Sequence, residues 1–124
     1  MNPYLRWALR IIPAAILLQT LFFKFTGAPE SVWIFTQLGV EPWGRYATGT
    51  LELAAAVLIL YPKMTPFGAL LAIGLMAGAI LSHLTTIGIA VQNDGGLLFM
   101  LATVTLVLSA MLLWFERSKL PTFS

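Results

Sequence analysis

Four long apolar stretches fill this chain of 124 residues, and few ionisable side chains interrupt them. The stretches cover about residues 7–25, 43–60, 66–91 and 96–115. Each is close to the roughly 20 residues that span a bilayer as a helix. Helices satisfy their own backbone hydrogen bonds where water is absent. The sequence therefore predicts an all-α integral membrane protein, a single four-helix bundle over residues 1–124.

The composition supports a membrane protein and excludes several other classes. Charged residues make up only 10% of the chain and hydrophobic residues 59%. A net charge of +2 is too small for a nucleic-acid-binding surface, so we expect no nucleic acid as a partner. The chain has no cysteine, which excludes disulfides and thiol exchange. One histidine and one acidic residue inside the spans are too few for a metal site, and we expect none.

The distribution of lysine and arginine predicts the orientation in the membrane. If the N-terminus is cytoplasmic, most basic residues fall on that side: Arg6, Arg10, Lys63, Arg117 and Lys119. Lys24 and Arg45 fall on the other side. Basic residues concentrate in the cytoplasmic loops of membrane proteins, so we predict both termini in the cytoplasm.

The connection over residues 27–42 predicts a short helix between the first and second spans. Pro29 can open this helix and Gly39 can close it. It is apolar on most sides but too short to span a bilayer, so we expect it to lie at the outer interface. Its role stays open between a lid over the bundle and a wall of a substrate access path.

Three ionisable residues inside the spans are predicted to share one depth. Lys24 lies near the outer end of the first span, and Glu52 lies about 13 Å below the outer end of the second. His83 lies about 25 Å along the third span, which starts at the inner side, and so also falls in the outer half. Charged groups at such depth are costly and usually face the interior with a partner or a function. We predict one polar site here, with Arg45 and Asp94 as candidates above it.

Each of these residues also has a structural interpretation. Lys24 can extend to the outer headgroups, and Arg45 can anchor the interface. Glu52 and His83 can instead hold helices in register, with Glu52 paired to Lys24, His83 or Arg45.

Small residues in the second and third spans predict close packing and local space. Gly74 and Gly78 form a GxxxG motif, which lets another helix approach closely. We expect this motif to serve packing inside the bundle rather than a dimer seam. We also expect Gly49 and Ala79 to leave room beside the polar site.

The sequence resembles the DoxX-like family of small bacterial membrane proteins over roughly residues 5 to 115. The matching segments are LFFKFTG (21–27), FTQLG (35–39), GTLEL (49–53) and MAGAI (76–80) followed by His83. The resemblance implies a four-helix bundle in the bacterial inner membrane, with Lys24, Glu52 and His83 as recurrent polar positions. Namesake members of the family are subunits of a thiosulfate:quinone oxidoreductase.

Two functions of different classes follow from the residues and the resemblance together. The first is a redox-associated membrane subunit whose polar site holds a quinone headgroup or relays a proton through Glu52 or His83. The second is a non-enzymatic membrane protein that binds a lipid or small solute, or assembles with a partner. The expected partners are the lipid bilayer and either a redox protein or a second copy of the chain. Quinone is the one cofactor that the resemblance suggests, and the sequence assigns no reaction.

Overall fold

The computed structural model describes residues 2–90 and 95–119, and this part of the chain is all-helical. Its helices are α1 (Pro3–Thr26), α2 (Pro29–Gln37), α3 (Trp43–Leu60), α4 (Thr65–Ser82) and α5 (Leu97–Glu116). A π-helical turn (His83–Ile87) extends α4, and a 3₁₀ turn (Arg117–Lys119) extends α5. The four long helices form a ring in which α1 contacts α3 and α5, and α4 contacts the same two helices. The short helix predicted between the first two spans is present as α2.

Local sequence signals set several helix ends. The Asn2 side chain accepts a hydrogen bond of 2.7 Å from the Tyr4 N–H, so α1 begins at Pro3 rather than near residue 7. Gly27, with a φ of 72°, ends α1 in the left-handed conformation that glycine favours. The third predicted stretch (66–91) stops being helical at Ile87, because Gly88 has a φ of 80°. The predicted bounds of the second stretch agree with α3.

Within the described residues, three helical segments are long and apolar enough to cross a membrane. They are Pro3–Thr26, Thr65–Ile87 and Leu97–Lys119. Helix α3 is not among them, since Arg45 and Glu52 lower the hydropathy of its 18 residues. The fourth span therefore stays a prediction, although α3 packs between α1 and α4 as the fourth long helix.

The outward faces of the long helices carry large apolar side chains. Five examples, each at least half exposed and drawn from all four long helices and the π-helical turn, are Phe22, Val57, Leu81, Leu84 and Val107. A soluble monomer rarely exposes apolar surface this extensively. Lipid would cover these side chains, which is what a membrane protein requires.

Helices α3 and α4 meet backbone to backbone at Gly68. A Cβ atom at this position would lie 2.5 Å from the Ile59 nitrogen and 2.8 Å from the Ala55 oxygen. Only glycine allows this approach. The fully buried side chains of Leu17, Ile59 and Leu112 belong to the apolar core of the bundle.

The GxxxG motif of α4 makes no such contact, so its predicted role in packing within the bundle is wrong. Gly74 and Gly78 are exposed. A Cβ atom on either would meet no neighbouring heavy atom of the described chain within 4 Å. Gly74 lies six residues after Gly68 and therefore on a different face of the helix.

Matched glycine substitutions test which part of α4 forms the helix contact. Gly68→Ala is expected to destabilise the fold by about 1–3 kcal/mol, because the added methyl group collides with the α3 backbone. Gly74→Ala adds the same methyl group into open space and should leave stability unchanged or raise it by up to about 1 kcal/mol, through helix propensity. Unfolding of both variants in detergent by sodium dodecyl sulfate, followed by circular dichroism, measures the difference. Equal stabilities for the two variants would contradict the assignment.

Candidate ligand-binding site

Glu52 is the most deeply buried acidic group of the described residues, and α1 supplies its partners. Its side chain is 1% exposed, and Lys24 Nζ lies 2.7 Å from Glu52 Oε1. The Thr20 hydroxyl donates to the other carboxylate oxygen, Oε2. Thr20 and Lys24 are one helical turn apart on α1 and so present a hydroxyl and a cation on the same face. The pairing that the sequence predicted for Glu52 is therefore made with Lys24.

A cavity of about 360 Å³ lies beside this ion pair. Its wall includes residues of all five helices, and α2 contributes Ser31 and two apolar side chains, Ile34 and Phe35, to it. Most of the wall is apolar; its polar members are Thr20, Lys24, Ser31, Thr48, Glu52, Ser82 and His83. The volume falls within the range of small-molecule sites, and a few convergent polar groups in an apolar wall are typical of them.

His83 lines the same cavity without touching the ion pair. The ring is 5% exposed, and its Nδ1 lies 2.8 Å from the Gly88 carbonyl oxygen. A carbonyl can only accept, so Nδ1 carries a hydrogen, and Nε2 is the ring nitrogen that can accept when the ring is neutral. The ring edge also packs against Phe99, with 5.5 Å between ring centroids. His83 opens the π-helical turn, a distortion often found at functional sites.

Arg45, one of the two candidates above the polar site, does not line the cavity. Its guanidinium contacts the Glu41 carboxylate at 2.8 Å, donates to the Lys24 carbonyl and lies 4.5 Å from the centre of the Tyr46 ring. Arg45 thus ties the start of α3 to the connection before it and to the end of α1. Asp94, the other upper candidate, lies outside the described residues.

The two small residues expected to leave room differ in what they do. Ala79 lines the cavity as expected. The space beside Gly49 is instead occupied by the Phe25 ring, whose nearest atom lies 3.1 Å from the position of a glycine Cβ. Within the described ranges, no group of three or more histidine, aspartate or glutamate side chains could hold a metal ion.

Comparison with known proteins assigns the chain to a family. A family model described as the DoxX-like family matches residues 8–112. The chain belongs to the DoxX-like family. The resemblance predicted over residues 5 to 115 is therefore confirmed, and it covers the whole cavity. No curated protein and no solved structure matches the sequence.

Sequence reasoning missed a second buried cluster in this DoxX-like protein, around Glu116 at the opposite end of the bundle. The Glu116 side chain is 2% exposed and contacts Arg10 at 2.8 Å and Lys119 at 2.6 Å, with Arg6 at 3.7 Å. Lys119 also donates to the Pro62 carbonyl and so ties α5 to the α3–α4 connection. In the sequence alone, the basic residues indicate orientation and not a partner for Glu116. The detectable signal was that Glu116 falls at the same predicted membrane face as Arg6 and Arg10.

A double-mutant cycle measures what the Lys24–Glu52 ion pair contributes to stability. Lys24→Met leaves the Glu52 carboxylate buried without its cation and is expected to cost about 3–5 kcal/mol. Combining Lys24→Met with Glu52→Gln removes both charges at nearly constant volume and should recover most of this loss. Detergent unfolding by sodium dodecyl sulfate gives the free energies of all variants.

Lys63→Met, in the exposed α3–α4 connection, is the control and should change stability by less than about 0.5 kcal/mol. If the double variant is as unstable as the two single losses added together, the two side chains are not coupled.

Proposed function

We propose that this DoxX-like protein is a four-span subunit of the bacterial inner membrane that binds a quinone headgroup in its outer-half cavity and serves a redox system. Both termini would lie in the cytoplasm. The observation that carries the proposal is the buried Lys24–Glu52 pair in the wall of an otherwise apolar cavity of about 360 Å³. The absence of cysteine leaves thiol chemistry to a partner, so electrons would come from a redox partner protein.

The ion pair defines which headgroups the cavity can hold. Lys24 is 17% exposed and Glu52 only 1%, so a ligand in the cavity reaches the ammonium group first. A lysine ammonium has three N–H donors, and the contact with Glu52 occupies one. Because the pair is neutral as a whole, it favours an uncharged hydrogen-bond acceptor over an anion. A quinone carbonyl on an apolar ring is such an acceptor.

His83 adds a group that suits the reduced form of the same ligand. With Nδ1 held by the Gly88 carbonyl, Nε2 is the acceptor of the neutral ring. A quinol hydroxyl can donate to this nitrogen, while Lys24 donates to an oxygen elsewhere on the ring. The cavity wall therefore contains complementary groups for both the quinone and the quinol.

With the proposed orientation, this site would lie in the outer half of the membrane. Helix α1 runs outwards if the N-terminus is cytoplasmic, so Lys24 near its end lies on the outer side. The Glu116 cluster then lies at the cytoplasmic face, together with Arg6, Arg10 and Lys119. Pairing with Lys24 lowers the cost of Glu52 within a spanning α3.

The mostly apolar wall also favours the second function, a non-enzymatic protein that binds a lipid or small solute. Only the chemistry of the bound headgroup separates the two. Mass spectrometry of lipids and quinones extracted from the purified protein distinguishes them directly. Quinone enriched over its abundance in the membrane supports the redox-associated function, and phospholipid alone supports the other.

Reporter fusions test the orientation. We expect a cytoplasmic signal from a reporter after Ser124 and an external signal from a reporter inserted at Asn93, because α5 separates the two positions. The measurement is the ratio of alkaline phosphatase to fluorescent-protein activity for each fusion. A cytoplasmic signal at Asn93 or an external signal at Ser124 would contradict the proposed topology.

Quinone binding tests the site itself. The probe is decylubiquinone added to the protein in nanodiscs, and quenching of tryptophan fluorescence reports binding. The Lys24→Met/Glu52→Gln double variant should bind about 10- to 100-fold more weakly than the original protein, because a hydrogen bond to a charged group is lost.

Glu116→Gln is the matched control for that measurement. It removes another buried, ion-paired carboxylate, but one that does not line the cavity. Its quinone affinity should equal that of the original protein even if its stability falls. Unchanged affinity in the Lys24→Met/Glu52→Gln variant would overturn the proposed site.

A further inference from the structure

The cavity reaches the outer surface of the bundle along one flank of α4. Two of the residues that line it, Gly74 and Gly78, are exposed, whereas the Glu52 and His83 side chains in the same wall are buried. A continuous path therefore runs from the ion pair to the surface that large apolar side chains mark as lipid-facing. Across this path, α3 contributes the half-buried Thr48.

The two glycines keep this path open. A Cβ atom at either position would meet no neighbouring atom of the described chain within 4 Å, so no helix contact requires a glycine there. The next residue of the same row, Ser82, also lines the cavity and is small. A row of small residues spaced by four forms a shallow groove along a helix.

The inner end of the path is polar. Glu52 Oε1 lies 2.7 Å from Lys24 Nζ, and both side chains line the cavity. A lysine ammonium has three N–H donors, and the contact with Glu52 uses one of them. The path thus joins a polar end, which can donate to a ligand, to an apolar, lipid-facing end.

From this polarity we infer that the ligand is an amphiphile that enters sideways from the membrane between α3 and α4, with its apolar chain lying over Gly74 and Gly78. This inference rests on the proposed function, since it assumes that the headgroup binds beside Lys24. It adds that the chain contributes to binding and that the ligand need not pass beneath α2. A water-soluble headgroup without a chain is then a weaker ligand than the same headgroup with one.

The test compares one headgroup with and without its chain. The probes are decylubiquinone and the tailless 2,3-dimethoxy-5-methylbenzoquinone, both measured by tryptophan quenching in nanodiscs. In the original protein the decyl compound should bind more tightly after correction for its partition into lipid. We call the ratio of the two affinities the chain advantage. Gly78→Leu should reduce the chain advantage by about 10-fold or more, through loss of the buried chain contacts, while affinity for the tailless compound stays the same.

Ala54→Leu is the matched control, because it adds a leucine to an exposed position of α3 that does not line the cavity. It should leave both affinities unchanged. Gly78→Ala, which places a single methyl group in open space, should fold normally and give an intermediate chain advantage.

A photoreactive decylubiquinone with a diazirine at the chain end locates the chain directly. We expect labelled peptides that contain Thr48, Gly74 or Gly78. Labelling centred on Gln19 or Leu97, which line a second cavity on the α1 and α5 side, would overturn the inference. An undiminished chain advantage in Gly78→Leu would overturn it as well, while Lys24-dependent binding of the tailless compound would still uphold the proposed function. If neither quinone binds the original protein, both proposals fail together.

Discussion

A charged side chain buried in an apolar helix bundle needs a partner on another helix, and this requirement organises the structure. An isolated carboxylate in hydrocarbon is too costly to persist, so both buried glutamates are paired. Lys24 joins α1 to α3 through Glu52, and Arg10 joins α1 to α5 through Glu116. Helix α1 thus supplies a cation near each of its ends. Two fixed contacts on one helix set its position along both neighbours, which apolar side chains alone specify less strictly.

The sequence predicted the features that depend on the energetic cost of burying a charge. It did not predict the features that depend on which residue becomes the partner of that charge. Glu52 had to face the interior because lipid offers no partner, and its depth matched that of Lys24 on an antiparallel span. The bounds of α3 followed from the second apolar stretch, residues 43–60. The partner of Arg10 did not follow, because the pairing of α1 with α5 is a tertiary contact that neither helix encodes alone.

The sequence did not show which side of α4 contacts the other helices, for a different physical reason. A spanning helix is apolar towards lipid as well as towards the core, so its pattern does not distinguish the two sides. Gly68 and the Gly74–Gly78 pair look alike as small residues in an apolar run. Gly68 meets the backbone of α3, and the other two glycines lie in open space. Only the packed structure shows which glycine serves the fold and which leave space.

The bundle is closely packed at one end and hollow towards the other. Near the end that holds Glu116, Gly68 brings α3 and α4 together, and the buried side chains of Ile59 and Leu112 fill the interior. Towards the end that holds Lys24, the four long helices and α2 enclose a cavity, and Leu17 is part of its wall. The Lys24–Glu52 pair still joins α1 to α3 beside this cavity.

The Lys24–Glu52 pair has properties that suit the proposed binding site. Lys24 is held by Glu52, whose other carboxylate oxygen accepts a hydrogen bond from Thr20, so the ammonium group would need no rearrangement to donate to a ligand, and little ordering cost would fall on the binding step. The pair has no net charge, so an uncharged headgroup beside it would leave no net charge in the membrane. If α3 spans the membrane, the same pair that lowers the cost of Glu52 there would also determine which headgroups the cavity binds.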